Sequence, residues 1–278
     1  MDLFGQNVAT LQGELVYERF GMVGLPAVFS RTWLCRCLAE LGAFREGMAM
    51  AEEGLQVAEA AQHPFSLVEA YRGVSVLQLR KGDLHRAIPA LERGLGLCQD
   101  WDILLPTTWF AAASGYVYIL TGRSADALPL LDKDVRGRMR RGFPRADRII
   151  FVSEAYLLAG RLQDAYTHAM QALEASHARQ EHGNQAWTLR LLGEIAAHRD
   201  PPEMEPAEAY YREAIALAKE LAMRPLEAHC HLGLGTLFTK MGQRAQARAE
   251  LSAAIQLYRA MDMMFWLPQA EAALAQVQ

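Results

Sequence analysis

Short breaks recur along this chain at intervals close to 40 residues, each between two segments whose apolar residues have helical spacing. The breaks are centred on Gly42, Gly82, Gly122, Gly160, Asp200-Pro201-Pro202 and Gly242. The first three glycines are 40 residues apart, and the next interval is 38. Because a fixed period of this length is typical of helical repeat proteins, six breaks predict six helical hairpins.

Composition supports helices on both sides of each break. The chain has 45 Ala and 38 Leu, against 12 Val and 8 Ile. Alanine and leucine lose little rotamer freedom in a helix, whereas β-branched residues favour strands. The sequence therefore predicts an all-α fold.

Small residues occupy three fixed places in nearly every predicted hairpin. Seven residues before the breaks are Cys35, Ser75, Gly115, Ser153, Gly193 and Gly235. Five residues after them are Gly47, Ala87, Ala127, Ala165, Ala207 and Ala247, and seven further on are Gly54, Gly94, Asp134, Ala172, Ala214 and Ala254. Only Asp134 departs from the pattern. Small side chains let helix backbones approach closely, so these positions predict the contacts between helices.

This pattern is similar to that of the tetratricopeptide repeat (TPR). The residues that carry the resemblance in the last unit are Leu234, Gly235, Phe238, Gly242, Ala247, Leu251 and Ala254. The resemblance implies an all-α, right-handed superhelix, or solenoid, of antiparallel helix pairs. HEAT repeats share a length near 40 residues and are the alternative, but they are not expected to place small residues at these three sites.

The register of the repeats predicts a single TPR-like domain over residues 1–278. It divides into a partial repeat at 1–27, repeats at 28–67, 68–107, 108–145, 146–185, 186–227 and 228–267, and a capping helix at 268–278. We expect residues 1–27 to be the second helix of a repeat whose first helix is missing, with Val8, Leu11 and Leu15 on an uncovered side. The alternatives are that this half-repeat is a natural cap or a dimer surface.

Three longer segments carry a second resemblance. Residues 24–42, 191–221 and 224–238 resemble the carboxyl-terminal TPR region of large bacterial signalling proteins that join a class III adenylate or guanylate cyclase domain, an ATPase domain and a repeat array. The resemblance implies membership of the repeat region alone. Nothing in the chain matches a cyclase domain or a phosphate-binding loop, so neither activity is expected here.

The sequence holds no recognisable catalytic or metal-binding motif. Phosphate-binding, nucleophile-elbow and zinc-protease motifs are all missing. The run His229-Cys230-His231 has potential metal ligands, but neighbouring residues on a helix point in different directions. We therefore predict no enzyme activity, no cofactor and no metal.

A helical solenoid offers an extended concave face lined by the first helix of each hairpin. The candidate peptide-groove residues on that face are Arg36, Arg72, Trp109, Tyr116, Trp187, Arg190 and Glu194. Aromatic and arginine side chains commonly anchor interfaces. The alternative is that the two tryptophans pack against the next hairpin and that the charged groups are solvated.

The segment from Asp132 to Arg148 is unusually basic, with seven basic and three acidic residues. Glycines and a proline interrupt its helical pattern, which predicts a basic loop at mid-array. Its candidate binding residues are Arg136, Arg138, Arg140, Arg141 and Arg145. They would receive an acidic segment, a phosphate or another domain; the alternative is an ordinary solvated loop.

The net charge and the hydropathy of the chain exclude two classes of partner. The net charge is -4, and no apolar stretch approaches the roughly 20 residues that span a bilayer, so we expect no nucleic-acid or membrane partner and a cytoplasmic location. The predicted function is a protein–protein interaction module that binds a peptide or a neighbouring domain within a bacterial signalling protein. The alternatives are a small-ligand sensor that regulates an attached cyclase or ATPase, and an oligomerisation spacer.

Overall fold

A computed structural model of the chain describes residues 2–127, 129–131 and 145–277. The helices are α1 (Asp2–Thr10), a 3-10 helix (Gly13–Tyr17), α2 (Pro26–Leu41), α3 (Phe44–Ala61), α4 (Pro64–Lys81), α5 (Leu84–Asp100), α6 (Leu104–Leu120), α7 (Ala146–Leu158), α8 (Leu162–Ala178), α9 (His182–Ala197), α10 (Met204–Glu220), α11 (Arg224–Lys240), α12 (Arg244–Ala260) and α13 (Leu267–Ala275). Residues 124–127 and 129–131 are also helical. These ranges contain no strand, which confirms the all-α prediction for the described residues.

The chain divides into two compact units, Met1–Ala111 and Ala112–Gln278. Within each unit, most consecutive helices are joined by turns of two or three residues and pack side by side as hairpins. We call the helix before each predicted break a first helix and the helix after it a second helix. First helices also contact one another: α2 contacts α4 in one unit, and α9 contacts both α7 and α11 in the other.

Each predicted break lies where a first helix ends. Gly42, Gly82, Gly122, Gly160 and Gly242 all have left-handed backbone, with φ between 73° and 84°. Glycine adopts this conformation without steric cost, and it lets the chain leave one helix and enter the next. At Gly82, for example, the backbone N–H donates to the carbonyl oxygens of Gln78 and Leu79. The regular spacing of the glycines in the sequence is therefore the spacing of the turns that end the first helices.

A second series of turns follows the second helices, and here the left-handed residue is not glycine. The residues are Gln62, Asp102, Gln180, Ala222 and Asp262, with φ between 49° and 56°. A side chain makes this conformation less favourable by roughly 1–2 kcal/mol, so packing of the flanking helices must hold it. The two turn series alternate along the chain.

The predicted small-residue positions are buried wherever the structure describes them. A Cβ atom added to Gly94 would meet the buried ring of Phe110, and one added to Gly235 would lie 2.5 Å from Cγ of Leu251. Each glycine thus makes room for a large residue of the neighbouring helix. The exception, Asp134, lies outside the described residues.

The amino-terminal segment differs from the single helix expected over residues 1–27. Helix α1 ends at Thr10, and only the short 3-10 helix follows before α2. The physical reason is backbone conformation, because Gly13, Phe20 and Gly21 have φ of 59°, 48° and 78°, which an α-helix cannot contain. At the other end, α13 packs against α12, with Leu267 and Ala270 buried.

An unusual histidine cap begins α4 and holds the amino-terminal segment. Nδ1 of His63 accepts a hydrogen bond from the Ser66 backbone N–H at 3.3 Å and lies 3.1 Å from Ser66 Oγ. That hydroxyl oxygen accepts the Leu25 backbone N–H at 2.9 Å. Burial first, and then the charge of Arg19, hold the pKa of His63 below its ordinary value of 6.5.

We expect this cap to weaken in acid. A neutral imidazole accepts at Nδ1, whereas a protonated one carries N–H there and is also disfavoured at a helix amino terminus. Because the folded pKa is depressed, the stabilisation is complete above pH 6.5 and is lost as pH falls from there through the folded pKa.

The measurement compares the wild type with His63→Asn, whose amide caps the helix at any pH. The stability advantage of the wild type over His63→Asn, from urea unfolding, is expected to shrink between about pH 7.5 and about pH 5. A constant difference over this range would show that His63 does not titrate with folding.

Candidate peptide-binding surface

In the unit Met1–Ala111, the predicted residues Arg72 and Trp109 are brought together with Glu69. The Arg72 guanidinium lies 5.3 Å from the centre of the Trp109 ring, and its Nη1 lies 3.4 Å from Oε1 of Glu69. Trp109 is only 3% exposed and Arg72 only 6%. This cluster therefore belongs to the packing of α4 against α6 rather than to an open surface.

The third predicted residue of this unit, Arg36, is partly exposed on α2. Its guanidinium lies 4.2 Å from the ring centre of Trp33 on the same helix. The Phe4 ring of α1 stacks against Trp33 with centres 6.3 Å apart. The aromatic rings of Trp33 and Phe4 thus support the Arg36 side chain from one side.

In the unit Ala112–Gln278, Arg190 of α9 lies in a largely buried ion-pair network. It pairs with Glu154 of α7, and its Nη1 lies 2.7 Å from Oε2 of Glu194. Burial alone lowers the pKa of a guanidinium, but the two carboxylates outweigh it and raise the pKa of Arg190 above its ordinary value. Arg190 stays charged, and Glu154 links one first helix to the next.

Accessibility along this network increases from Glu154 to Glu194. The side chains of Glu154, Arg190 and Glu194 are 7%, 12% and 32% exposed. Tyr116, from α6, is partly exposed, and its ring centre lies 5.6 Å from that of Phe151. Glu194 is consequently the charged group that a ligand reaches first.

Trp187 belongs to an aromatic cluster rather than to the open surface, since it is 4% exposed. Its ring centre lies 5.8 Å from that of His229, which also contacts the rings of Tyr258 at 5.5 Å and Trp266 at 4.8 Å. The Tyr258 hydroxyl lies 2.9 Å from Nδ1 of His229. This cluster joins α9, α11 and α12 to the start of α13.

The repeat pattern did not predict the part of this cluster that comes from Tyr258 and Trp266. Tyr258 lies on a second helix, and Trp266 precedes the final helix, so neither falls on the repeat position of Trp187 and His229. The available signal was the unusual aromatic pair Phe265-Trp266 next to the predicted cap. Its ring centres are 4.7 Å apart and perpendicular.

Three cysteines are buried, and their thiols are expected to be unreactive at neutral pH. Burial raises the pKa of Cys35 and Cys230 to about 12 and that of Cys98 to about 11. Thiols with such pKa values are protonated at neutral pH, and a protonated thiol is neither a nucleophile nor a metal ligand.

The side chains of the run 229–231 have different neighbours. Cys230 is buried, and His229 contacts Tyr258. Nδ1 of His231 lies 2.5 Å from Oε2 of Glu250. Within the described ranges, no group of three or more potential ligands is arranged to hold a metal ion.

Most of the predicted basic loop lies outside the described residues. The part outside includes Arg136, Arg138, Arg140 and Arg141. Arg145 is described and is exposed at the amino terminus of α7. Its guanidinium makes two contacts with the Asp147 carboxylate, at 3.2 and 3.0 Å. The Arg145 side chain is 47% exposed, whereas that of Asp147 is only 13% exposed.

Comparison with known proteins finds a likeness at the level of structure. No protein-family model and no curated protein sequence matches the chain. The crystal structure of BtubC (BKLC) from P. vanneervenii is similar, with a TM-score of 0.52 and 18% identity, over 79% of this chain and 92% of that one. At this identity the likeness concerns the helical fold alone.

None of the described helices has both the length and the apolar character needed to cross a membrane.

Proposed function

We propose that the chain is a protein-interaction module, built as a solenoid of TPR-like hairpins, that binds a peptide segment or a neighbouring domain in a bacterial signalling protein. The proposal is supported by the regular alternation of turns and by the buried small residues at fixed places in the hairpins. The second resemblance of the sequence supplies the signalling context.

The observation that carries the binding function is the Glu154–Arg190–Glu194 network. It extends from buried to partly exposed across two first helices, and its more accessible end is the Glu194 carboxylate, 32% exposed. The Arg190 charge fixes the position of that carboxylate before any ligand arrives. A pre-positioned carboxylate accepts hydrogen bonds from peptide N–H groups or from a cationic side chain at low entropic cost.

The function is tested by selecting a random displayed peptide library on the wild-type chain and measuring the affinities of the enriched peptides. Glu194→Ala is expected to weaken them by about tenfold or more, since a hydrogen bond to a charged group contributes about 1.5–3 kcal/mol. The matched control is Glu213→Ala, which removes the same group from an exposed site on α10.

Two results would contradict the proposal. One is the absence of enriched peptides, which would leave the face without peptide-binding activity. The other is equal weakening by Glu194→Ala and Glu213→Ala, which would show that peptides respond only to overall charge. Unfolding curves of both variants establish that each is folded. Trp187→Ala is unsuitable here because it opens a cavity in the core.

A further inference from the structure

Large apolar residues are exposed mainly at the amino-terminal end of the chain. Eleven are exposed among the described residues, and six of them fall within residues 3–23. These six are Leu3, Leu15, Tyr17, Phe20, Met22 and Val23, with exposed fractions from 44% to 75%. We call them the amino-terminal apolar surface. Exposed apolar residues that are grouped rather than scattered singly are typical of interaction sites.

The segment that carries this surface is attached to its unit and is not a free tail. The Phe4 ring stacks on Trp33 of α2, and the Leu25 N–H donates to Ser66 Oγ of α4. The 3-10 helix contacts both α2 and α3. The exposed side chains are therefore presented on a fixed support, so little conformational entropy is lost when a partner binds.

We propose that the amino-terminal apolar surface binds the same surface of a second copy of this chain, forming a two-fold symmetric dimer. Its six residues present roughly 600 Å² of accessible surface, at about 150–200 Å² for each fully exposed residue. A stable dimer buries about 800 Å² on each partner, so these residues supply most of the required area.

The charges of the segment fit a second copy. Residues 3–23 contain three charged side chains, those of Glu14, Glu18 and Arg19, and all are exposed. In a two-fold interface, a contact from residue i to residue j is always accompanied by the reverse contact. Arg19 of each copy can thus face Glu14 or Glu18 of the other, which gives two favourable pairs. A nucleic acid would find a single cation here.

The dimer is tested by measuring the mass of the full chain by light scattering, from about 1 to about 100 μM. The wild type is expected to approach twice the chain mass of 31.0 kDa as concentration rises. The double variant Phe20→Ser/Val23→Ser is expected to raise the dimer dissociation constant at least about tenfold, because each substitution occurs twice in the interface.

The matched control is Met170→Ser/Met264→Ser, which replaces two exposed apolar residues elsewhere and should leave the mass unchanged. A wild type that stays at 31.0 kDa throughout would overturn the proposal and leave the surface to a different occupant. A dimer that survives the Phe20→Ser/Val23→Ser change would overturn it too, and so would one equally weakened by the control. Neither set of residues takes part in the proposed peptide-binding network.

Discussion

Replacing Arg190 by alanine is expected to lower the free energy of unfolding by about 3–5 kcal/mol, because the substitution leaves Glu154 buried without its main countercharge. The Glu154 side chain is only 7% exposed, so water compensates its charge poorly once the guanidinium is gone. Chemical unfolding of the wild type and the variant measures the loss.

Arg212→Ala is the matched control for this prediction. Arg212 also pairs with a glutamate on its own helix, Glu208, but its side chain is 56% exposed. An exposed pair contributes about 0–1 kcal/mol, so this variant should unfold nearly as the wild type does. Equal losses for Arg190→Ala and Arg212→Ala would show that the buried network contributes no more than a surface pair.

Two glycines of α5 are expected to respond in opposite ways to alanine. At Gly94, the new Cβ would meet the Phe110 ring, which is fully buried, and the overpacking should destabilise the protein by about 1–3 kcal/mol. At Gly96, nothing lies within 4 Å of the new Cβ, and the gain in helix propensity should stabilise the protein by about 0.5–1 kcal/mol. Comparing the unfolding midpoint of each single variant with that of the wild type tests both expected changes in stability.

A double variant identifies the cause of the Gly94 effect. Phe110→Leu removes the ring that the new methyl group meets, so Gly94→Ala/Phe110→Leu should be more stable than the two single losses predict when added. Strict additivity would mean that the loss at Gly94 does not arise from contact with Phe110. A destabilised Gly96→Ala would contradict the assignment of that position as open.

The turn chemistry explains how much of the fold could be predicted from sequence. The turns after first helices use glycine in left-handed conformation, and glycine marks them visibly in the sequence. The turns after second helices place Gln62 or Ala222 in the same conformation, and nothing in these side chains indicates a turn. Packing of the flanking helices sets those helix ends. The sequence therefore predicted how many such turns there are, but not which residues adopt the left-handed conformation in them.

The candidate site was only partly predictable for a related reason. Helical spacing placed Trp109 and Trp187 on first helices, but it could not decide whether a side chain points between two helices or out of them. The structure places both rings in the interior. The partner of Arg190 was also hidden, because Glu154 belongs to another helix and their ion pair depends on how the two helices are set side by side.

The close contact between Gly235 and Leu251 restricts the order in which substitutions at these two positions can be tolerated. The first residue has no side chain where the second needs space, so a larger residue at position 235 requires a smaller one at position 251. Glycine is already the smallest residue, so the smaller side chain at position 251 has to come first. The order in which the two substitutions arise is therefore part of the constraint.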